Sequence, residues 1–226
     1  MGKQYLEFLK DLAENNSKEW MDENRDRYLL VKDRFLREVG EMLEEIKVWE
    51  PGMLNLKAKD CVFRQNRDVR FSQNKAPYKT NLAAYFAVGG KKSEGPGYYV
   101  HIQPGSSFIA GGIWMPPADV LKKIRQEIDY SGDQLLAILE NPNFKNWFTG
   151  IEGDQLKTSP RDYEIDHPHI ELLRFKSFIV STPLSDQEIK SGKFKEKALS
   201  AFKIMKPFHD FLHQAIEDVD SGDGIL

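Results

Sequence analysis

Apolar residues in the first fifty positions recur every three or four residues. In QYLEFLKDLAENNSKEW, Tyr5, Phe8, Leu9 and Leu12 fall on one helical face, Asn15 and Asn16 interrupt it, and Ser17 is placed to cap a second helix. In NRDRYLLVKDRFLREVGEMLEEI, Tyr28, Val31, Phe35, Val39, Met42, Leu43 and Ile46 form another stripe, which Pro51-Gly52 ends. Residues 1–50 are therefore predicted to form an N-terminal helical hairpin with its charged side in water.

Between Leu56 and Trp114 the period shortens to two. DCVFR, NLAAYFAVGG, GYYVHIQPG and SFIAGGIWMP are rich in aromatic and β-branched residues and are separated by Gly, Pro, Asn and Ser. They predict short strands whose brief connections favour an antiparallel meander, with GGKKSEGPG as a hairpin loop. Gly111-Gly112 predicts a bulge or a close backbone approach. Pro116-Pro117 opens a helix that places Val120, Leu121, Ile124 and Ile128 on one side.

Beyond Ser131 the pattern predicts short helices at GDQLLAILENP and NFKNWFTG, a helix capped by Asp166, and a strand at FKSFIVST. The amphipathic KEKALSAFKIMKPFHDFLHQAIEDV contains Pro207, expected to kink or divide it. The fold class predicted is α+β: a mostly antiparallel sheet, a meander, flanked by helices. With no linker or repeat in view, residues 1–226 are expected to form a single domain: the helical region 1–50, an α+β body at 56–219 and a flexible tail at 220–226.

Composition narrows the setting. Of 226 residues 40 % are hydrophobic and 12 % aromatic, enough to bury a substantial core. No run approaches the roughly 18 apolar residues of a bilayer span, and the start lacks the basic-then-apolar order of a signal peptide. The lone Cys61, beside Val62 and Phe63, reads as a buried thiol. A cytoplasmic protein without membrane contact is expected, monomeric or weakly homodimeric.

Charge adds a local feature. The net charge is −3, yet Arg64 to Lys79 hold five basic residues and one acid, a balance of +4 that leaves −7 for the rest of the chain. A basic island on an acidic body suits a specific anion site better than a general nucleic-acid coat, so nucleic acid is the weaker expectation as a partner.

Four blocks carry a family resemblance: FLKDLAENNSKEWM, RDVRFSQNKAPYKTN, GYYVHIQPGSSFIAGGIWMP and LKTSPRDYEIDHPHIELLRFKSF. In this order, from Phe8 to about Leu184, the chain resembles a widespread microbial family of conserved hypothetical proteins, a domain of unknown function. Met21 stands where the family pattern would have an aromatic residue, and Asp162 where it would have glycine, which bears on any positive-φ turn there. The resemblance implies a shared single-domain α+β fold and brings no activity, substrate or cofactor with it.

Within RDVRFSQNKAPYK, Val69 and Phe71 are expected to seek the core while the arginines stay at the edge, and Pro77 restricts the neighbours of Tyr78. Arg64, Arg67, Arg70, Lys75 and Lys79, with Tyr78, are candidates to cradle a phosphate, nucleotide or carboxylate, since the guanidinium fork suits oxyanions. The competing reading is an internal ion-pair network, such as Asp68 with Arg70 or Arg64.

Other candidates stand apart in sequence. Alternation in GYYVHIQPG puts Tyr99, His101 and Gln103 on one face, making His101 and Tyr99 the candidates for proton chemistry. Trp114 offers a flat wall for a base or sugar, or else seals the core. Arg174 and Lys176 share a face if extended and would join the basic residues. His167 and His169 lack the i, i+4 spacing of zinc helices, and no metal or cofactor is expected.

With no nucleophile elbow, Walker loop or dinucleotide fingerprint, the sequence names no reaction. Binding of a small anion, with enzymatic use of the site left open, is the leading expectation. A nucleic-acid contact module and a non-catalytic protein-interaction domain are the alternatives.

Overall fold

A computed structural model describes residues 2–217. The expected tail at 220–226 lies outside the described residues. Four strands form one antiparallel sheet in the order β1 (Leu82–Ala87), β2 (Gly97–Ile102), β3 (Ser107–Ile113) and β4 (Phe178–Leu184), and helices make up 51% of the described residues. The first three strands are a meander, so the α+β class predicted from the period switch is the one observed. Among the described residues no helix is long and apolar enough to cross a membrane. The chain forms two compact units.

The first unit holds the residues up to Ser93, Tyr98–Ala110 and Thr182–Phe202. Its N-terminal helices are α1 (Lys3–Glu14), α2 (Lys18–Glu23) and α3 (Arg25–Lys47). They follow the apolar stripes: Tyr5, Phe8, Leu9 and Leu12 are fully buried, as are Phe35, Val39, Leu43 and Ile46 to within 2 %. Ser17 caps α2 by accepting a bond from the Trp20 N–H at 3.1 Å. On the sheet, Tyr98, Val100 and Ile102 point inward, and Tyr98 and Phe86 pack against Phe202 with centroids 4.9 and 5.9 Å away.

DCVFR is not a strand. Asp60 accepts the Lys57 backbone N–H at 3.0 Å and closes a helical turn, α4 (Ala58–Cys61). Only then does the backbone reach the sheet, where Val62 bridges Ala84 and the Phe63 N–H donates to the Ala83 carbonyl. Cys61 is buried as expected, and burial pushes its thiol up to about 11.

The second unit holds Glu94–Gly97, Gly111–Ser181 and the chain from Lys203 on. Its long helix α5 (Ala118–Glu140) buries Ile124, Ile128 and Leu135 and is kinked at Ser131, where φ is −129° and ψ 23°. The break predicted at Ser131 is thus a bend inside one helix. A single turn, α6 (Pro142–Lys145), delivers Phe144 to Phe148 and Phe208, with centroids 4.9 and 6.2 Å apart.

Asp166 does not cap a helix. The turn α7 (Ile170–Leu173) begins after His169, because His167 accepts the His169 N–H through Nδ1 at 3.0 Å and meets Asp129 at 2.9 Å through Nε2. A capped turn, α8 (Asp186–Ser191) in the first unit, precedes α9 (Phe194–Ile216), which runs through Pro207 undivided.

Gly111 and Gly112 make the close approach expected of them. A Cβ on Gly111 would lie 2.7 Å from His209 Nε2, and one on Gly112, at φ +114°, would strike the Phe178 carbonyl oxygen. Asp162 adopts φ +75° although it is not glycine, so the left-handed turn survives there on the tolerance of a short polar side chain.

Candidate functional site

In the first unit the segment from Arg64 to Lys79 is an irregular two-stranded ribbon. Asn66 bridges Tyr78, the Arg67 N–H donates to the Pro77 carbonyl at 2.9 Å, and the Lys79 N–H donates to the Gln65 carbonyl at 2.8 Å. Gln65, buried at 6 %, turns its carboxamide onto the carbonyls of Lys79 and Asn81. Asn16 holds the returning strand, donating to the Tyr78 carbonyl and accepting from the Tyr78 N–H, each at 3.0 Å. The residue read as a helix interruption is thus a clamp between positions 62 apart in sequence.

The cations serve different ends. Arg67 donates from Nη1 to the Ala76 carbonyl at 2.9 Å and reaches the Ser72 hydroxyl at 3.4 Å. Lys75 donates to the Val69 carbonyl at 3.0 Å. Arg70 grips Asp68 through Nε and Nη2 at 3.0 and 2.7 Å, and this grip holds the Asp68 carboxyl below its ordinary range. Lys79 rests its ammonium 5.2 Å above the Phe63 ring.

Among the described residues only Arg70 of the five stands in an ion pair. A carbonyl satisfies a donor without cancelling its charge, so Arg64, Arg67, Lys75 and Lys79 keep theirs. Burial, and then the Arg64 charge beside it, push the Lys79 ammonium below its ordinary pKa.

Val69 and Phe71 do not anchor the ribbon. Val69 is half-buried and Phe71 is 96 % exposed. The ribbon closes on its own backbone and side-chain bonds, so it needs no apolar anchor.

Next to the ribbon lies the outer side of β2. The Tyr99 hydroxyl bonds His101 Nδ1 at 3.0 Å, and His101 Nε2 meets Gln103 Oε1 at 3.0 Å. The Gln103 oxygen can only accept, so it takes a hydrogen from Nε2, and Nδ1 faces the Tyr99 hydroxyl and, at 3.5 Å, the Asn81 amide nitrogen. Phe108 stacks on His101 with centroids 4.7 Å apart, while Tyr99 meets Phe63 edge-on at 6.3 Å. Burial lowers the His101 pKa against the opposing Gln103 bond, and burial pushes the Tyr99 phenol up to about 12. With both ring nitrogens engaged, His101 orients its neighbours and does not stand as a free base.

The remaining candidates belong to the second unit. Trp114 is 66 % exposed and does not seal a core, since the Met115 N–H donates to the Ser177 hydroxyl at 2.9 Å and Met115 takes φ +45°. Arg174 pairs with Glu171 at 2.6 Å, and Lys176 is exposed. Neither has been gathered into the ribbon's own unit.

Sequence reasoning missed Phe63, Asn16, Asn81 and Phe108. Their contribution is a contact with another segment of the same chain, which leaves no local signature. Among the described residues, no group of three or more His, Cys, Asp or Glu is placed to hold a metal.

Fold and site together define an α+β protein with an uncompensated cationic ribbon beside a half-buried aromatic and imidazole face. The chain belongs to the family of conserved hypothetical proteins DUF2461, whose model matches residues 4–211. No curated protein and no solved structure matches it.

Proposed function

We propose that the protein binds a small anionic ligand, a phosphate or carboxylate bearer, where Arg64 and Lys79 meet the Phe63, Tyr99 and His101 face. One observation carries this reading: Arg64 and Lys79 lie close enough to disfavour the charged lysine, yet neither has a counter-ion among the described residues. Like charges held near each other at a protein surface repel, and the partial burial of Lys79 adds to what it costs to keep its ammonium charged. An anion between them turns that repulsion into two attractions.

The surroundings support the same reading. Gln65 and Asn16 fix the ribbon strands, so the cations need little ordering when a ligand arrives. The Tyr99 hydroxyl, bonded to His101 Nδ1, has a second lone pair free to accept from a ligand donor.

The test is a thermal-shift panel of inorganic phosphate, nucleotides and dicarboxylates on the wild type and on Lys79→Met. A ligand at a hundredfold its Kd stabilises by about 2.7 kcal/mol. For a chain of this size that raises Tm by about 5–10 °C. Lys79→Met should abolish the response while keeping the packing on Phe63. General salt stabilisation moves both proteins alike. No response in the wild type, or equal responses in both, overturns the proposal.

A further inference from the structure

Phe71 is the most exposed large apolar side chain described, at 96 %, and it stands on a loop that is not loose. The Ser72 N–H donates to the Val69 carbonyl at 3.3 Å, and Lys75 donates to the same carbonyl from the far side at 3.0 Å. Ala76 N–H is held by Asn74 Oδ1 at 2.9 Å, and Arg67 ties Ala76 from within. The fold thus ties down the loop that carries a large aromatic ring into water, a position without benefit to the isolated protein.

Its neighbours specify the partner. Arg70, pinned by Asp68, holds its guanidinium carbon 5.9 Å from the Phe71 ring centroid. We infer that this loop, residues 68–74, is a docking site for single-stranded nucleic acid. An unpaired base stacks on Phe71 beside the Arg70 guanidinium, and flanking phosphates meet the uncancelled charges of Arg67 and Lys75.

Two features favour a nucleic-acid strand over a lipid surface. Ser72, Gln73 and Asn74 follow Phe71 with hydroxyl and amide groups that suit base edges and sugars and are poorly suited to hydrocarbon. A single ring without apolar neighbours also gives weak insertion into a bilayer. The −7 carried outside the segment confines the contact to a few nucleotides. The proposal uses the tip of the ribbon and does not depend on a small ligand at Lys79.

The experiment is fluorescence anisotropy of the full chain with labelled single-stranded RNA and DNA and with a duplex of the same sequence, across a salt series. The single strand should bind at low salt, with log affinity falling against log salt by about 0.7 per phosphate contacted. Phe71→Ala should weaken it about 5-fold or more, while Phe71→Tyr retains it. Phe71 makes no core contact, so unchanged far-UV circular dichroism is expected for Phe71→Ala. No binding at low salt, duplex bound as tightly as single strand, or equal affinity for wild type and Phe71→Ala overturns the inference. Phe71-dependent sedimentation with phosphatidylserine vesicles, without oligonucleotide binding, overturns it in favour of a lipid surface.

Discussion

Replacing Tyr5 by Phe removes one oxygen and changes almost nothing else, which makes it a clean probe of how α1 is fastened to α3. The Tyr5 ring is fully buried and edge-on to Phe35 at 6.1 Å, and its hydroxyl donates to Glu38 Oε2 at 2.7 Å. Burial, reinforced by the Glu38 bond and charge, raises the phenol well above its usual pKa, so it stays a donor. Glu38 is itself only 8 % exposed, and Arg34 Nε lies 3.9 Å from its other oxygen.

The phenylalanine fills the same space, so no cavity term enters. A carboxylate oxygen loses its donor away from water, and the expected cost is about 1.5–3 kcal/mol. For a chain of this size, Tm should fall by about 3–12 °C. Glu38→Met should cost about 1–3 kcal/mol by stranding the hydroxyl, whereas the double variant should lose clearly less than the sum, because neither partner is then left unpaired. Urea unfolding of the four proteins, with unchanged m-values, measures the cycle. A Tyr5→Phe effect within about 0.5 kcal/mol, or strict additivity, refutes the argument.

Two further outcomes test other parts of the fold. Burial, aided by the nearby His213 and Lys206 charges, pushes His209 down to about 3, whereas the unfolded chain takes up that proton near 6.5. The unfolded state then binds more protons between these values, so stability should rise with pH by up to about 1.4 kcal/mol per unit. Glu188, held at about 2 first by the Lys197 bond, contributes its loss only below the ordinary glutamate range. Urea midpoints between about pH 5 and 6.5 should therefore steepen with His209 present and flatten in His209→Leu; equal slopes would remove the assignment. Gly112→Ala, at φ +114° against the Phe178 carbonyl, should cost about 2–5 kcal/mol, whereas Gly105→Ala, at φ +71° with open space around it, should cost about 1–2 kcal/mol. Melting temperatures in the reverse order would contradict the steric reading.

Legibility in the sequence followed the range of the forces involved. The α1 and α3 stripes and the alternation in β2 could be read because their periodic apolar positions are buried, whereas β1 and β3 are buried at almost every residue. The strand expected at DCVFR was lost to a three-residue interaction, Asp60 closing on Lys57. The cap expected of Asp166 yielded to Asp129, which holds His167 from a helix 38 positions away. Hydrophobicity alone places Phe71 in the core, a rule that fails where a loop satisfies its own polar groups and nothing apolar is folded over it.

The charge island illustrates the same division more sharply. Whether a run of cations survives folding as a charged feature depends on what meets each head, and an ion-pair network would have neutralised it. Here Arg67 and Lys75 end on carbonyls and Lys79 on a ring, while Asp68 forms its ion pair with Arg70. The carbonyl acceptors lie six to nine residues from their donors, within the ribbon itself. Local bonding therefore fixes the cations without discharging them, and the +4 that could be counted along the chain is carried into the folded protein as uncompensated charge.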